Sequence, residues 1–189
     1  MSARDELVTR RLRLRVVGPE HAGAMLEYRA RNAAFFAPTS PPSPPGADTL
    51  AFWERAFAQE RVDFAEGRSA RFKLSLREAP GDIVGTASLT GVARGPFQAC
   101  LLGYGIDESL QGRGLMREAL EAVLGFAFGD WGLHRVMANH LPTNDRSAAL
   151  LRRLGFVVEG YARDYLFIDG AWRDHVLTAR TNPSAPRPG

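Results

Sequence analysis

The sequence predicts one domain of the α/β class, and three observations carry that expectation. Apolar residues recur at every second position in short runs such as Leu12, Leu14 and Val16, which is the period of a half-buried strand. Helix-length apolar patterns lie between these runs, and a strand, a glycine-containing loop and a strong helix pattern follow one another from Cys100 to Phe128. A length of 189 residues, 45% hydrophobic and 24% charged, suits a single core of ordinary size.

The first strand is the run around Leu12 to Val16, where Arg10, Arg11, Arg13 and Arg15 alternate with the apolar side chains and form a solvated face. Gly18-Pro19 opens a helix containing Ala22, Met25, Leu26 and Ala30, which must end before Pro38. Residues 38–46, PTSPPSPPG, read as a stiff loop, since each proline lacks an N–H and fixes φ. A second helix starts at Asp48 or Thr49 and runs through Trp53 and Phe57 to about Phe64, so the loop joins two helices of one domain. Strands at 70–77 and 83–92 flank Ala79-Pro80-Gly81-Asp82, whose composition suits a hairpin turn and makes the pair antiparallel. Cys100–Ile106 is the next strand, Asp107–Gly114 a polar loop and Leu115–Phe128 a helix. Leu133–His140 then reads as a strand and Asp145–Leu154 as a helix stopped by Gly155. Phe156–Ile168 reads as a strand bent near Glu159-Gly160, and Ala171–Thr178 as its partner across an Asp169-Gly170 turn. The domain is expected over 1–180, with 181–189 a flexible, proline-rich tail.

Composition narrows the function. No stretch approaches the ~18 apolar residues of a membrane span, and the first twenty residues carry no secretory apolar region, so a soluble, cytoplasmic protein is expected. Cys100 is alone, which excludes an internal disulfide, and with four histidines there is no zinc-type spacing; no metal is expected. The net charge of +3 comes from a basic set that is arginine apart from Lys73, which argues against nucleic-acid binding as the main role.

The informative stretch is Gln111-Gly112-Arg113-Gly114-Leu115-Met116. It ends a strand-to-helix loop and delivers several backbone N–H groups to a helix start, where the dipole favours an anion and glycine allows close approach of a phosphate. The spacing is not that of a dinucleotide fingerprint, and the lysine of a P-loop is missing. On its own such a loop is equally an ordinary helix entry.

With its context, this hexapeptide resembles the pyrophosphate-binding motif Q/R-x-x-G-x-G/A of the GNAT superfamily of acetyl-CoA-dependent N-acetyltransferases, with Met116 in place of the final small residue. Asn144-Asp145-Arg146-Ser147 followed by Leu150, Leu154 and Gly155-Phe156 resembles the N-x-x-S…LGF segment of the same family. The end of the chain, from Glu159-Gly160-Tyr161 to His175, is similar to the Rim-type bacterial ribosomal-protein alanine N-acetyltransferases. The resemblance covers roughly residues 7–180.

It implies a mixed, mostly antiparallel central sheet, splayed beside Leu101–Ile106 and flanked by helices, with acetyl-CoA in the opening and no metal. Main chain near Tyr104, Gly105 and Ile106 would pair with the pantetheine amides and supply an oxyanion donor. Gln111, Gly112, Arg113, Gly114, Leu115 and Met116 would hold the pyrophosphate, and Asn144 would bond the pantetheine arm or cap the following helix. The reaction implied is direct attack by an amine in a ternary complex. An α-amine, about 2.5 pKa units below lysine's, is neutral roughly 300-fold more often, which favours a protein N-terminus.

The tyrosine that many family members carry seven residues after the asparagine is Leu151 here. Ser147 is therefore the candidate partner of the leaving thiolate, or else a polar residue of a first helical turn. Glu159 is the candidate base or an exposed strand carboxylate, and Tyr161 and Tyr165 are candidates to orient a peptide. Cys100 as an acetyl-carrying nucleophile has no base near it in sequence; His134, His140 and His175, at or beside strands, are candidate bases or structural residues, and the tryptophans read as packing.

The expected partner is the N-terminus of a ribosomal protein, bound by a monomer or homodimer. Two alternatives remain open: an acetyltransferase for a small amine such as an aminoglycoside, polyamine or amino acid, and a non-catalytic CoA-binding module acting in ribosome assembly or regulation.

Overall fold

A computed structural model describes residues 4–185. Eight strands form one open sheet in the order β1-β2-β3-β4-β5-β6-β8-β7. The strands are β1 (Glu6–Val8), β2 (Leu12–Arg15), β3 (Ala70–Leu76), β4 (Gly85–Ala93), β5 (Ala99–Ile106), β6 (Arg135–His140), β7 (Val157–Ile168) and β8 (Ala171–Thr181). The helices are α1 (Ala22–Phe36), α2 (Leu50–Ala65), α3 (Leu115–Gly125) and α4 (Asp145–Arg153). Every neighbouring pair is antiparallel except β5 with β6, so the sheet is mixed and mostly antiparallel, as the family resemblance implies.

The period-two patterns decide the two faces. Leu12, Leu14, Phe72, Leu74, Ala87, Leu89, Cys100 and Leu102 point to one side and are buried with the apolar stripe of α3, which includes Leu115, Ala119, Leu120, Val123 and Leu124. On the other side a smaller cluster joins Met25 and Tyr28 of α1 to Trp53 and Phe57 of α2. Lys73, the sole lysine, is buried on this face, bonded to Glu60 at 2.6 Å with its ammonium 4.8 Å from the Phe57 ring centre. Among the described residues, no helix is long and apolar enough to cross a membrane.

Most elements match their expected extents, and the differences have physical causes. The expected first strand is β2, and an unexpected strand, β1, pairs with it across a tight turn closed by Thr9 and Leu12 (Thr9 N to Leu12 O 2.9 Å), which takes Arg10 and Arg11 out of the ladder. Helix α2 begins where Thr49 caps it, its hydroxyl accepting from Phe52 N–H. Helix α3 gives way to one wider turn, Phe126–Asp130, before the loop to β6. Strand β8 continues to Thr181, paired with Arg135, and Asn182 N–H bonds His134 O at 2.7 Å, so the ordered ladder outruns the expected end at Thr178. Residues 186–189 of the expected tail lie outside the described residues.

Candidate active site

The site grows from a break in the sheet. β5 and β6 pair in parallel only at Ala99↔Arg135, Cys100↔Val136 and Leu101↔Met137. Beyond Leu101 the two strands part, while β5 stays paired with β4 as far as Ile106↔Gly85. Asp107 N–H bonds Val84 O at 2.8 Å, and hydrogen-bonded positions alternate along an antiparallel ladder. It follows that Tyr104 and Ile106 turn their N–H and C=O groups away from β4 and into the gap. By the same alternation Gly105, which the resemblance groups with them, faces Thr86 of β4.

The loop after β5 is built for close approach. Asp107 caps a short helical turn over Glu108–Leu110, and Gly112 and Gly114 then adopt φ of +73° and +72°, the left-handed region that costs a side chain of L configuration. Gly114 is the residue before α3. Among the described residues, no protein group accepts from the amides of Gly112, Arg113, Gly114, Leu115, Met116 or Arg117. Six unpartnered N–H groups at the positive end of α3 fit a pyrophosphate in both charge and geometry. Met116, the departure from the family motif, is buried in the core under α3 and points away from this cradle.

Two carboxylates hold the loop from behind. Glu118, in the first turn of α3, accepts from Thr9 Oγ1 (2.6 Å), Arg11 N (2.7 Å) and Arg11 Nε (2.7 Å), and Arg11 Nη1 continues to Arg113 O at 2.9 Å. Burial opposes charge on Glu118, but these donors outweigh it and hold its carboxyl below the ordinary value. Asp107 is likewise buried yet held below the usual range by Arg31, Ser109 and Asn32, which outweigh the desolvation. Asn32 also accepts from Glu108 N–H at 3.0 Å, so α1 fixes the start of the loop.

Across the gap lies the first turn of α4. Asn144 caps it, its Oδ1 accepting from Ser147 N–H at 3.1 Å, which leaves its amide NH2 for a ligand. Ser147 Oγ lies 2.7 Å from Tyr104 Oη, and Arg146 Nη1 donates to Gln111 Oε1 at 2.6 Å. The mouth of the opening is thus spanned twice, from β5 and from its loop to α4. Burial, partly offset by Ser147, pushes the Tyr104 hydroxyl up to about 12. Leu151, where a family tyrosine would stand, is fully buried in the core. Cys100 is buried too, its thiol pushed up to about 12, which removes the thiolate a covalent route would need at neutral pH.

Of the remaining candidates, Glu159 and Tyr165 sit on the opposite face of the sheet, whereas Tyr161, paired with Val176, stays on the α4 face. Glu159 stands in a bulge of β7 between Val158 and Gly160, where the sequence predicts a bend, and its carboxylate pairs with Arg135 at 2.7 Å. Arg135 opens β6 at the closed end of the gap. Tyr165 is closer to the opening: its Oη accepts from Asn139 Nδ2 at 2.8 Å, and its ring lies 5.1 Å from that of His175. The structure therefore brings Ser147 to Tyr104, and Tyr165 to Asn139 and His175, but does not join Glu159 to either group. Sequence reasoning missed Asn139 and the Tyr104 hydroxyl, because neither belongs to a motif and each acts across strands.

A second irregularity explains the placing of Tyr165. Arg163, Asp164 and Tyr165 bulge between Ala162↔His175 and Leu166↔Arg173, with Asp164 at φ +49°. Asp174 secures the bulge, accepting from Asp164 N–H at 2.9 Å and Tyr161 Oη at 2.8 Å. Beyond it the β7–β8 hairpin passes the end of β6 and exposes Leu166, Phe167 and Trp172.

Known proteins agree with this geometry. The family model for the acetyltransferase (GNAT) domain matches residues 11–157. The Escherichia coli [ribosomal protein uS5]-alanine N-acetyltransferase is 42% identical over 177 residues, 94% of this chain and 91% of that protein. The ribosomal-protein-S5-alanine acetyltransferase of Vibrio fischeri superposes with a TM-score of 0.91 at 32% identity, over 96% of this chain and 98% of that one. Mycobacterium smegmatis RimJ, solved in complex with a CoA-disulfide, superposes at 0.87 with 29% identity over 97% and 90%. A sheet splayed at one parallel pair, an amide-lined loop at a helix start and a family match over most of the chain lead to one assignment: the protein belongs to the GNAT acetyltransferase family and is an acyltransferase.

Proposed function

We propose that this enzyme transfers acetyl from acetyl-CoA to the α-amine of a protein N-terminus, specifically the N-terminal alanine of a ribosomal protein, by direct attack in a ternary complex. The observation that carries the reading is the gap between β5 and β6 with the unpartnered amides of Gly112–Arg117 at its mouth. The substrate class is supported by the S5-alanine specificity named for the Escherichia coli and Vibrio fischeri relatives. CoA use is supported by the CoA-disulfide bound to the Mycobacterium smegmatis relative.

When bound, acetyl-CoA would supply an activated thioester. Gln111–Met116 would hold its pyrophosphate, and the Asn144 amide and the backbone of Tyr104 and Ile106 would align its arm in the gap. One of those two strand N–H groups would polarise the thioester carbonyl. The amine would enter from the face carrying Asn139, Tyr165 and His175, opposite to Ser147, so nucleophile and leaving group approach from two sides of the sheet. The C–N bond forms as the C–S bond breaks. Ser147 hydrogen-bonds the departing sulfur, and the amine gives its extra proton to water, since Glu159 is held by Arg135 at the closed end of the gap. Holding both reactants in line supplies much of the rate. The exposed apolar hairpin tip at Leu166, Phe167 and Trp172, beyond the end of β6, suits an extended peptide better than a small enclosed amine.

Mass spectrometry tests the proposal. Offered Ala-start peptides, lysine peptides with blocked termini and a panel of small amines, the enzyme should acetylate the Ala-start terminus selectively and release CoA. Acetylation of small amines alone would move the substrate to a metabolite, and CoA binding without turnover would leave a non-catalytic module.

A further inference from the structure

We infer that Tyr104 is a positioning residue for the leaving group, its hydroxyl donating to Ser147 so that the single serine hydrogen is left to face the departing sulfur. The inference rests on the proposed acetyl transfer and on Ser147 as the group that meets the sulfur.

Each hydroxyl carries one hydrogen, and the two oxygens lie 2.7 Å apart, so one must donate to the other. Among the described residues neither oxygen has a second protein partner, and the pair as drawn allows either direction. A serine that donates to tyrosine presents only lone pairs to the gap, which repel a developing thiolate. With tyrosine donating, Ser147 keeps a hydrogen for the sulfur, and one of its two acceptor lone pairs is already occupied.

The phenol is the more acidic of the two hydroxyls and so the better donor, and the fold makes that arrangement a fixed device. Tyr104 lies on β5, one wall of the gap, with its ring packed against the main core, whereas Ser147 lies on α4, the other wall. The bond therefore spans the opening and fixes the Ser147 rotamer from a rigid strand. Tyr104 stays protonated throughout and transfers nothing, so the proton balance of the reaction is unchanged.

The test is a double-mutant cycle on the full chain with acetyl-CoA and an Ala-start peptide. Y104F keeps the ring and removes the hydroxyl, and should lower kcat about tenfold, the worth of one hydrogen bond. KM for acetyl-CoA should stay within about twofold, since the ground state does not use the bond. In an S147A background the same change should cost nothing further.

Independent, multiplying losses would overturn the proposal, as would a Y104F enzyme with unchanged kcat beside a slow S147A enzyme. An S147A enzyme with unchanged kcat would instead overturn the role given to Ser147. A fluorinated tyrosine at position 104, which keeps shape and hydroxyl but ionises at lower pH, covers a folding failure of Y104F. Its kcat should fall as the fluorophenol loses its hydrogen, and a flat profile relative to the parent enzyme would overturn the proposal.

Discussion

At the level of single residues, the loop at α3 makes its case through conformation as much as chemistry. Gly114 at φ +72° has room for a side chain, its nearest neighbour being Arg11 Nη2 at 3.7 Å from an added Cβ, so a substitution there is strained rather than crushed. Gly114→Val should lose about 1–2 kcal/mol of stability to that strain and bind acetyl-CoA at least about tenfold more weakly, read by calorimetry beside thermal melting. Gly67, at φ +69° in open space after α2, is the control: Gly67→Val should melt like Gly114→Val and bind normally. Equal affinities for both variants would remove the pyrophosphate from this loop. Glu118 gives a pH test. Its folded value lies below the ordinary 4.5, so its contribution is fully present above that pH and is lost as pH falls through the lower folded value. E118Q should melt earlier at pH 7, by the equivalent of about 1–3 kcal/mol for a bond network to a charged group, and the gap to the parent should close as the pH is lowered through the folded value, below that ordinary one.

At the level of elements, the strands and helices were legible where one face is apolar and period alone decides, as in β3, β5 and α3. The places where sequence reading fell short are those where two segments distant in the chain negotiate. The turn at Thr9–Arg11 exists because Glu118, a hundred residues away, collects three donors from it. The bulge at Arg163–Tyr165 exists because Asp174 on the opposite strand accepts from both Asp164 and Tyr161. The phosphate-type loop could be read because its chemistry is local, a run of amides at a helix start. The Tyr104–Ser147 and Asn139–Tyr165 pairs could not, since register and splay create them. The bulge also carries a prediction: D174A should release Tyr165 from its place and raise KM for an Ala-start peptide about threefold to tenfold, the worth of a single hydrogen bond. KM for acetyl-CoA should be unchanged. Equal KM values for the peptide would detach the hairpin from acceptor binding.

For the whole molecule, the parting of β5 from β6 has a consequence beyond catalysis. A sheet ordinarily keeps its bare peptide groups on its outer rims, and here a third rim runs through the interior at Tyr104 and Ile106. Such a rim is a template for any extended chain that can reach it, and proteins restrict access to such templates. In this fold the two hydrogen-bonded spans to α4 narrow the entry, and under the proposed function the amide-bearing arm of acetyl-CoA lies along the rim as a removable strand. The donor then does two jobs, carrying the acetyl group and completing the ladder. A ligand at a hundred times its dissociation constant adds about 2.7 kcal/mol to the folded state. The resistance of this enzyme to unfolding and to self-association would accordingly track the cell's supply of acetyl-CoA, tying the lifetime of the catalyst to the abundance of its own fuel.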